Sequence, residues 1–200
     1  MTSKAEQKQN TNESILQSAS RLLRGKGISG ARVADVMKGA GLTVGGFYAH
    51  FASKEALIDA TIRRTSREMR ERLFARLDAK PEADRGEIVL KRYVSAAHRD
   101  DLETGCPLPA TVSEIATTAP EHAEALGGQL EAFASELEAY LPAHAKLPRR
   151  QVGLAMLALM YGGLSLARAV RGTELSDEII RAVRAFGRQF VRADGGDTGD

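Results

Sequence analysis

An all-helical chain is what this sequence predicts, on three observations. Apolar residues recur at three- and four-residue spacings, no segment alternates convincingly at period two, and glycine or proline separates the helical stretches. The 200 residues, 43% apolar and 27% charged, suit one globular domain or two small ones with a sizeable core.

Residues 1–11 are polar and read as a flexible arm. From Asn12, a candidate cap, Ile15, Leu16, Ala19, Leu22 and Leu23 form one apolar stripe, and Gly25 and Gly27 mark its end. Val33, Val36, Met37 and Ala40 mark a second helix. A turn over residues 39–42 then leads to Thr43, which can cap a third helix with Phe47 and Phe51 on its buried side. Two short helices joined by a tight turn make a helix-turn-helix. The outer side of the third is slim at Gly45, Gly46 and Ala49, and Tyr48, His50 and Lys54 supply a phenol, an imidazole and an ammonium. A slim face lets backbone approach a duplex, and polar groups at its far end reach phosphate oxygens. This helix reads as a DNA-docking element.

Charge agrees with that reading once it is divided along the chain. The net charge is +2, but residues 1–54 hold eight Lys or Arg against three Asp or Glu, so this stretch carries +5 and the remainder −3.

The run G-L-T-V-G-G-F-Y-A-H-F-A-S-K-E-A-L, from Gly41 to Leu57, resembles the signature of TetR/AcrR-type bacterial transcriptional regulators, within a matching region of about residues 12–60. Beyond it the chain resembles that family in length and helical character. The resemblance implies base-contacting positions at Thr43, Val44, Gly45 and Gly46 and phosphate ligands at Tyr48 and His50. Those base-facing positions carry almost no side-chain donors. Val44 suits a thymine methyl, whereas bidentate readout of guanine needs an arginine or lysine from elsewhere. Arg32 and Lys38 are either contacts to the DNA backbone or solvated cations. The family pattern also places a Thr or Ser cap near Ala31; here Ser29 is the nearest substitute.

Ser53 is expected to cap a fourth helix reaching about Ala79, with Glu55 favoured in its first turn. Arg63, Arg64, Arg67, Arg70, Arg72 and Arg76 lie among acidic residues on it and read as a solvated face with i, i+4 ion pairs rather than a second DNA patch. Pro81 opens a boundary. Further helices are expected over residues 87–99, 104–118, 121–141, 149–171 and 176–192, and a disordered tail over 193–200. The resulting division is a three-helix helix-turn-helix DNA-binding domain over 1–54, a connecting helix over 55–80, and an effector-binding and dimerisation domain over 81–192.

The most apolar run, residues 152–167, falls short of the roughly 20 residues of a membrane span and reads as a buried or interface helix. The first thirty residues lack an apolar signal core, and a single cysteine suits a reducing cytoplasm, so a cytoplasmic protein with no membrane partner is expected. Gly162 and Gly163 permit close packing against a last helix bearing Ile179, Ile180, Val183, Phe186, Phe190 and Val191. The resemblance implies a homodimer through these two helices; otherwise they close a monomer core. A dimer would set two reading helices about 34 Å apart, as a palindromic operator requires.

The resemblance further implies a small hydrophobic or amphipathic effector bound among the middle helices. Tyr93, His98, Leu108, Phe133, Met156, Met160 and Tyr161 are the candidate lining, each of them otherwise plain core. Cys106, in the run T-G-C-P, is expected at a helix start, where free amides and the dipole favour thiolate. That context resembles a subgroup that senses oxidants or electrophiles; the alternative is an inert, packed thiol.

No enzyme is expected. His50, His98, His122, His144 and Cys106 lack metal-ligand spacing, and the sequence holds no Ser-His-Asp ordering, phosphate-cradling loop or dinucleotide fingerprint. No catalytic residue, metal or cofactor is therefore assigned. The expectation is a homodimeric regulator, a repressor by the family's usual mode, released from double-stranded DNA by a small-molecule effector. The alternatives are a redox- or electrophile-sensing repressor acting through Cys106, and a helical protein-interaction module that binds no DNA.

Overall fold

The computed structural model describes residues 3–143 and 147–192; the tail expected over 193–200 and His144 lie outside them. The described residues form nine α-helices and two 3-10 turns, and no strand. They pack as two compact units. One holds the residues up to Met69 together with Leu102–Gln129, the other Arg70–Asp101 together with the residues from Leu130 onward.

In the first unit, α1 (Lys4–Gly30) begins well before Asn12. The Ser3 hydroxyl accepts from the Glu6 amide at 3.2 Å, and the Glu6 carboxylate accepts from the Ser3 amide at 2.6 Å. This capping box satisfies two amides at the helix start, so residues 4–11, expected as a flexible arm, are helical. Near its other end α1 is interrupted at Gly27, whose φ of 71° suits glycine, and one further turn carries the chain to Gly30. Arg32 stands at the cap position of α2 (Val33–Gly39) and makes no side-chain cap bond, and Ser29 does not replace the missing cap. Gly41, with φ 72°, turns the chain after α2.

Ser53 caps α3 (Lys54–Phe74) through the Ala56 amide at 3.1 Å. The helix ends short of Ala79, ahead of Arg76, whose φ is 57°. Ion pairs at i, i+4 lace its arginine face, with Arg64 on Glu68 at 2.7 Å and Arg63 on Asp59 at 4.0 Å, but the face is not solvated throughout, since Arg70 is buried, and Arg76 lies past the helix end. The core of this head joins Ile15 and Ala19 of α1, Val36 and Met37 of α2, Phe47, Phe51 and Leu57. The unit also contains α6 (Leu108–Thr117), a 3-10 turn over Pro120–His122 and the start of α7 (Ala123–Glu138).

In the second unit, the single helix expected over 87–99 is two: α4 (Glu82–Tyr93) and α5 (Ala96–Asp100). Val94 leaves helical geometry at ψ 80°, and Ser95 starts the new helix by accepting from the His98 amide at 3.1 Å. Helices α8 (Arg149–Ala169) and α9 (Glu174–Val191) pack together. A Cβ on Gly163 would stand 2.7 Å from a Val183 methyl, so this glycine sets their approach; Gly162 meets nothing comparable. Glu87, buried on α4, gathers Lys91 at 2.6 Å, Arg188 at 3.1 Å and Arg192 at 2.7 Å, which ties α4 to the end of α9. At 21 residues, α8 is longer than the apolar run suggested, and by length and composition alone it would pass for a membrane span. Its packing against α9, α5 and α4 instead makes it a central helix of this unit.

Candidate nucleic-acid interface

The third element of the head is a 3-10 turn, Val44–Ala49, and not the regular α-helix expected from the sequence. Its hydrogen bonds run from the Gly46 amide to the Thr43 carbonyl at 3.2 Å and from the His50 amide to the Phe47 carbonyl at 2.9 Å. Six residues that include two adjacent glycines have little intrinsic helical preference, which leaves the tighter form. Anchoring comes from Phe47, buried and stacked on Phe51 with centroids 6.0 Å apart.

Everything else on the turn faces outward. Tyr48 is 75% exposed and meets Phe47 edge-on at 5.2 Å, while Val44 is 49% exposed. Thr43, Gly45, Gly46 and Ala49 are exposed too, and the Thr43 side chain makes no cap bond, which leaves its hydroxyl for an external acceptor. A Cβ built on Gly45 would meet nothing within 4 Å, and one on Gly46 only the Met37 methyl at 3.9 Å. Neither glycine has the positive φ that would require it. The fold therefore has room for larger residues at both positions, and their smallness acts outward, where a backbone can approach a groove.

His50 is half-buried at the end of the turn, and its covered Nδ1 has no hydrogen-bond partner among the described residues. Lys54, half-buried, starts α3. Arg32 and Lys38 are exposed, and the Arg32 guanidinium reaches Asp35 only at 3.9 Å, a loose surface contact. The candidate residues from Arg32 to Lys54 thus lie on α2, the turn and the start of α3, all in one compact unit.

The candidate effector residues separate. Tyr93, His98 and Phe133 meet in the second unit, with Tyr93 4.9 Å from His98 and 5.8 Å from Phe133 by ring centroids. Tyr93, Phe133, Met156 and Met160 are buried core residues, Tyr161 is half-buried, and Leu108 belongs to the first unit. His98 donates from Nδ1 to the Tyr93 carbonyl at 2.7 Å, and burial pulls its pKa down to about 4, so it is neutral near pH 7. A different concavity, of about 280 Å³, lies along α8 and α9 and is lined by Leu147, Val152, Ala155, Leu159, Phe186 and Phe190 among others; of the candidates, it includes only Met156. Cys106 is 1% exposed and precedes the Pro107 cap of α6, one step outside the helix.

Sequence reasoning missed one set of residues in the head. Arg24, Ile28 and Glu114 bind partners 41 to 86 residues away, and no local pattern marks such pairs.

Residues 15–61 match the model of the family described as bacterial regulatory proteins, tetR family. The head therefore matches the tetR-family domain, and the chain as a whole is similar in fold to TetR-family regulators. Solved structures agree with it over nearly the whole chain. A TetR transcriptional regulator from Chloroflexus aurantiacus J-10-FL is similar at 26% identity and a TM-score of 0.76, over 94% of this chain and 98% of its own. A TetR-family regulator from Cytophaga hutchinsonii shares 20% identity with a TM-score of 0.75, over 92% of this chain and 96% of its own. The reduced form of NemR from E. coli shares 20% identity with a TM-score of 0.71, over 88% of this chain and 96% of its own. Among curated proteins, none matches the chain. An N-terminal helix-turn-helix followed by a helical C-terminal domain is the fold shared with these regulators, and it supports a DNA-binding regulator.

Proposed function

We propose that this protein is a homodimeric, cytoplasmic repressor of the TetR family that holds a palindromic operator and leaves it when a small hydrophobic or amphipathic molecule binds. The observation that carries the DNA assignment is the slim, outward face of the Val44–Ala49 turn seated on Phe47. Thr43, Val44 and the backbone at Gly45 and Gly46 take the groove floor, and Tyr48, His50 and Lys54 take phosphates. Arg32 and Lys38 reach the flanking backbone. With so few donors toward base edges, selectivity rests largely on duplex shape and deformability.

DNA binding is assigned to residues 1–54, the link to 55–80, and effector binding and dimerisation to 81–192. Pairing is assigned to α8 and α9, which expose Leu154, Leu166 and Phe186, the last of these lining the apolar concavity there. Release follows if the effector prefers a dimer whose two heads no longer match the operator. Thiol modification has less behind it, because Cys106 is buried.

The experiment is selection of bound duplexes from a random pool, followed by titration against salt and release tests with lipophilic compounds. A recovered palindrome whose affinity falls steeply with salt supports the reading. Failure to enrich any duplex overturns it, and salt-indifferent capture of a protein instead favours an interaction module.

A further inference from the structure

The Glu114 carboxylate on α6 accepts from two consecutive backbone amides of α1, Ile28 at 2.8 Å and Ser29 at 2.8 Å, one on each oxygen. These amides open the last turn of α1 after the break at Gly27, so a charged side chain satisfies donors that the interrupted helix leaves free. Gly27 is fitted to that contact. A Cβ there would stand 1.9 Å from Glu114 Oε1 and 2.7 Å from the Ala110 carbonyl oxygen, and the φ of 71° disfavours any other residue. One turn earlier, buried Arg24 donates to the Gly105 carbonyl through Nε at 3.0 Å and to the Glu103 carbonyl through Nη1 at 3.2 Å. The same guanidinium pairs with Glu68 of α3 at 2.9 Å. Residues 103–114 are therefore fastened at two points to the C-terminal end of α1.

That end leads directly into the reading apparatus. Ala31 donates back to the Ile28 carbonyl at 3.2 Å, and the Arg32 carbonyl receives the Val36 amide at 2.9 Å to start α2. α2 has no side-chain cap of its own. Its Val36 and Met37 then pack with Phe47, the anchor of the reading turn. The start of α2 is thus fixed from behind by a carboxylate borrowed from α6.

We infer that Glu114 is a positioning residue for DNA binding: by clasping the Ile28 and Ser29 amides it holds the α1–α2 junction in the one arrangement that presents Arg32 and the reading turn to a duplex. The inference rests on the DNA-binding reading. Without the clasp the junction samples other arrangements, and apparent affinity falls by the fraction of heads still competent. The number of phosphates met in the complex stays the same.

The test uses the full-length protein and a duplex that the unaltered protein enriches from a random pool. Glu114→Gln keeps the shape but presents an amide nitrogen to an amide N–H. Expected is an affinity about tenfold weaker, or about 1.4 kcal/mol, for protein that remains folded by circular dichroism. Expected also is an unchanged dependence of log affinity on log salt. Gly27→Ala displaces the same carboxylate, so its effect is sub-additive with Glu114→Gln; if either variant unfolds, Glu114→Asp is measured in the same way. A lower melting temperature with unchanged affinity of the folded protein overturns the inference, as does a changed salt slope or full additivity. An unaltered protein that enriches no duplex overturns the DNA-binding reading itself, and the inference with it.

Discussion

Phe47 and Tyr48 are adjacent in sequence and meet edge-on at 5.2 Å, yet one ring is buried in the head and the other stands in solvent. A single turn therefore separates the residue that builds the reading element from the residue that uses it. Phe47→Ala should cost about 3–5 kcal/mol and melt the head. Tyr48→Phe should change stability by no more than about 0.5 kcal/mol, because it removes only an exposed hydroxyl. Paired with His50→Ala it should still weaken binding across many duplex sequences, as loss of phosphate contacts does. Thermal unfolding beside duplex titration separates the two; a double variant that binds as tightly as the unaltered protein would refute the phosphate assignment.

The two glycines of the turn make a sharper case, because stability and binding should move apart. A Cβ at Gly45 meets no neighbour, so Gly45→Ala should leave the stability unchanged or raise it, by up to about 1 kcal/mol. Gly45→Leu should also fold, while its bulk holds the backbone off the groove and weakens binding by about tenfold or more. Equal affinity of the leucine variant would remove the close-approach argument.

Stability should fall in two separate steps as the solution is acidified. His98 has its pKa lowered to about 4 by burial, so the unfolded chain takes up its proton first, near the ordinary histidine value of 6.5. The stability this group contributes is complete above pH 6.5 and is lost as pH falls toward about 4. Glu87 is held down to about 2, chiefly by its hydrogen bond to Lys91 and also by Arg192, and its contribution is present above pH 4.5 and lost on the way to about 2. Urea midpoints measured across pH should therefore lose the upper step in His98→Gln and the lower step in Glu87→Gln. Identical profiles for all three proteins would contradict both assignments.

Much of the head could be read locally. The Ile15–Ala19 stripe, the Phe47–Phe51 pair and the Ser53 cap are each set by spacings of a few residues, and those spacings determine what is buried. Ser3 and Glu6 also carried a local signal, a capping box, which the polarity of residues 1–11 masked. Other features are not local at all. Gly27 ends a regular helix, but the amides beyond it are satisfied by a carboxylate 86 residues away in sequence, so the extra turn to Gly30 had no nearby cause. Likewise one helix was expected over residues 87–99, and the competing Ser95 cap divides it. The effector candidates were ambiguous for a related reason: Tyr93 and Phe133 pair with each other, and a sequence does not separate aromatic rings that line a space from rings that fill one.

The surface of α8 and α9 yields a prediction about assembly. Leu166 is 61% exposed and Phe186 54% exposed, with Leu154 and Leu175 also exposed on the same two helices, and Phe186 borders the apolar concavity. For a monomer these are tolerable surface positions, so Leu166→Arg and Phe186→Arg should leave its stability within about 0.5 kcal/mol. For a dimer joined through this face each places a charge where about 1,200–2,000 Å² of surface would be buried, and the pair should shift sedimentation from dimer to monomer. Duplex affinity should fall with it, since a lone head engages only half of a palindrome. A double variant that still sediments as a dimer would move the pairing surface elsewhere, and one that dissociates yet binds the full palindrome undiminished would show that the two heads do not act together.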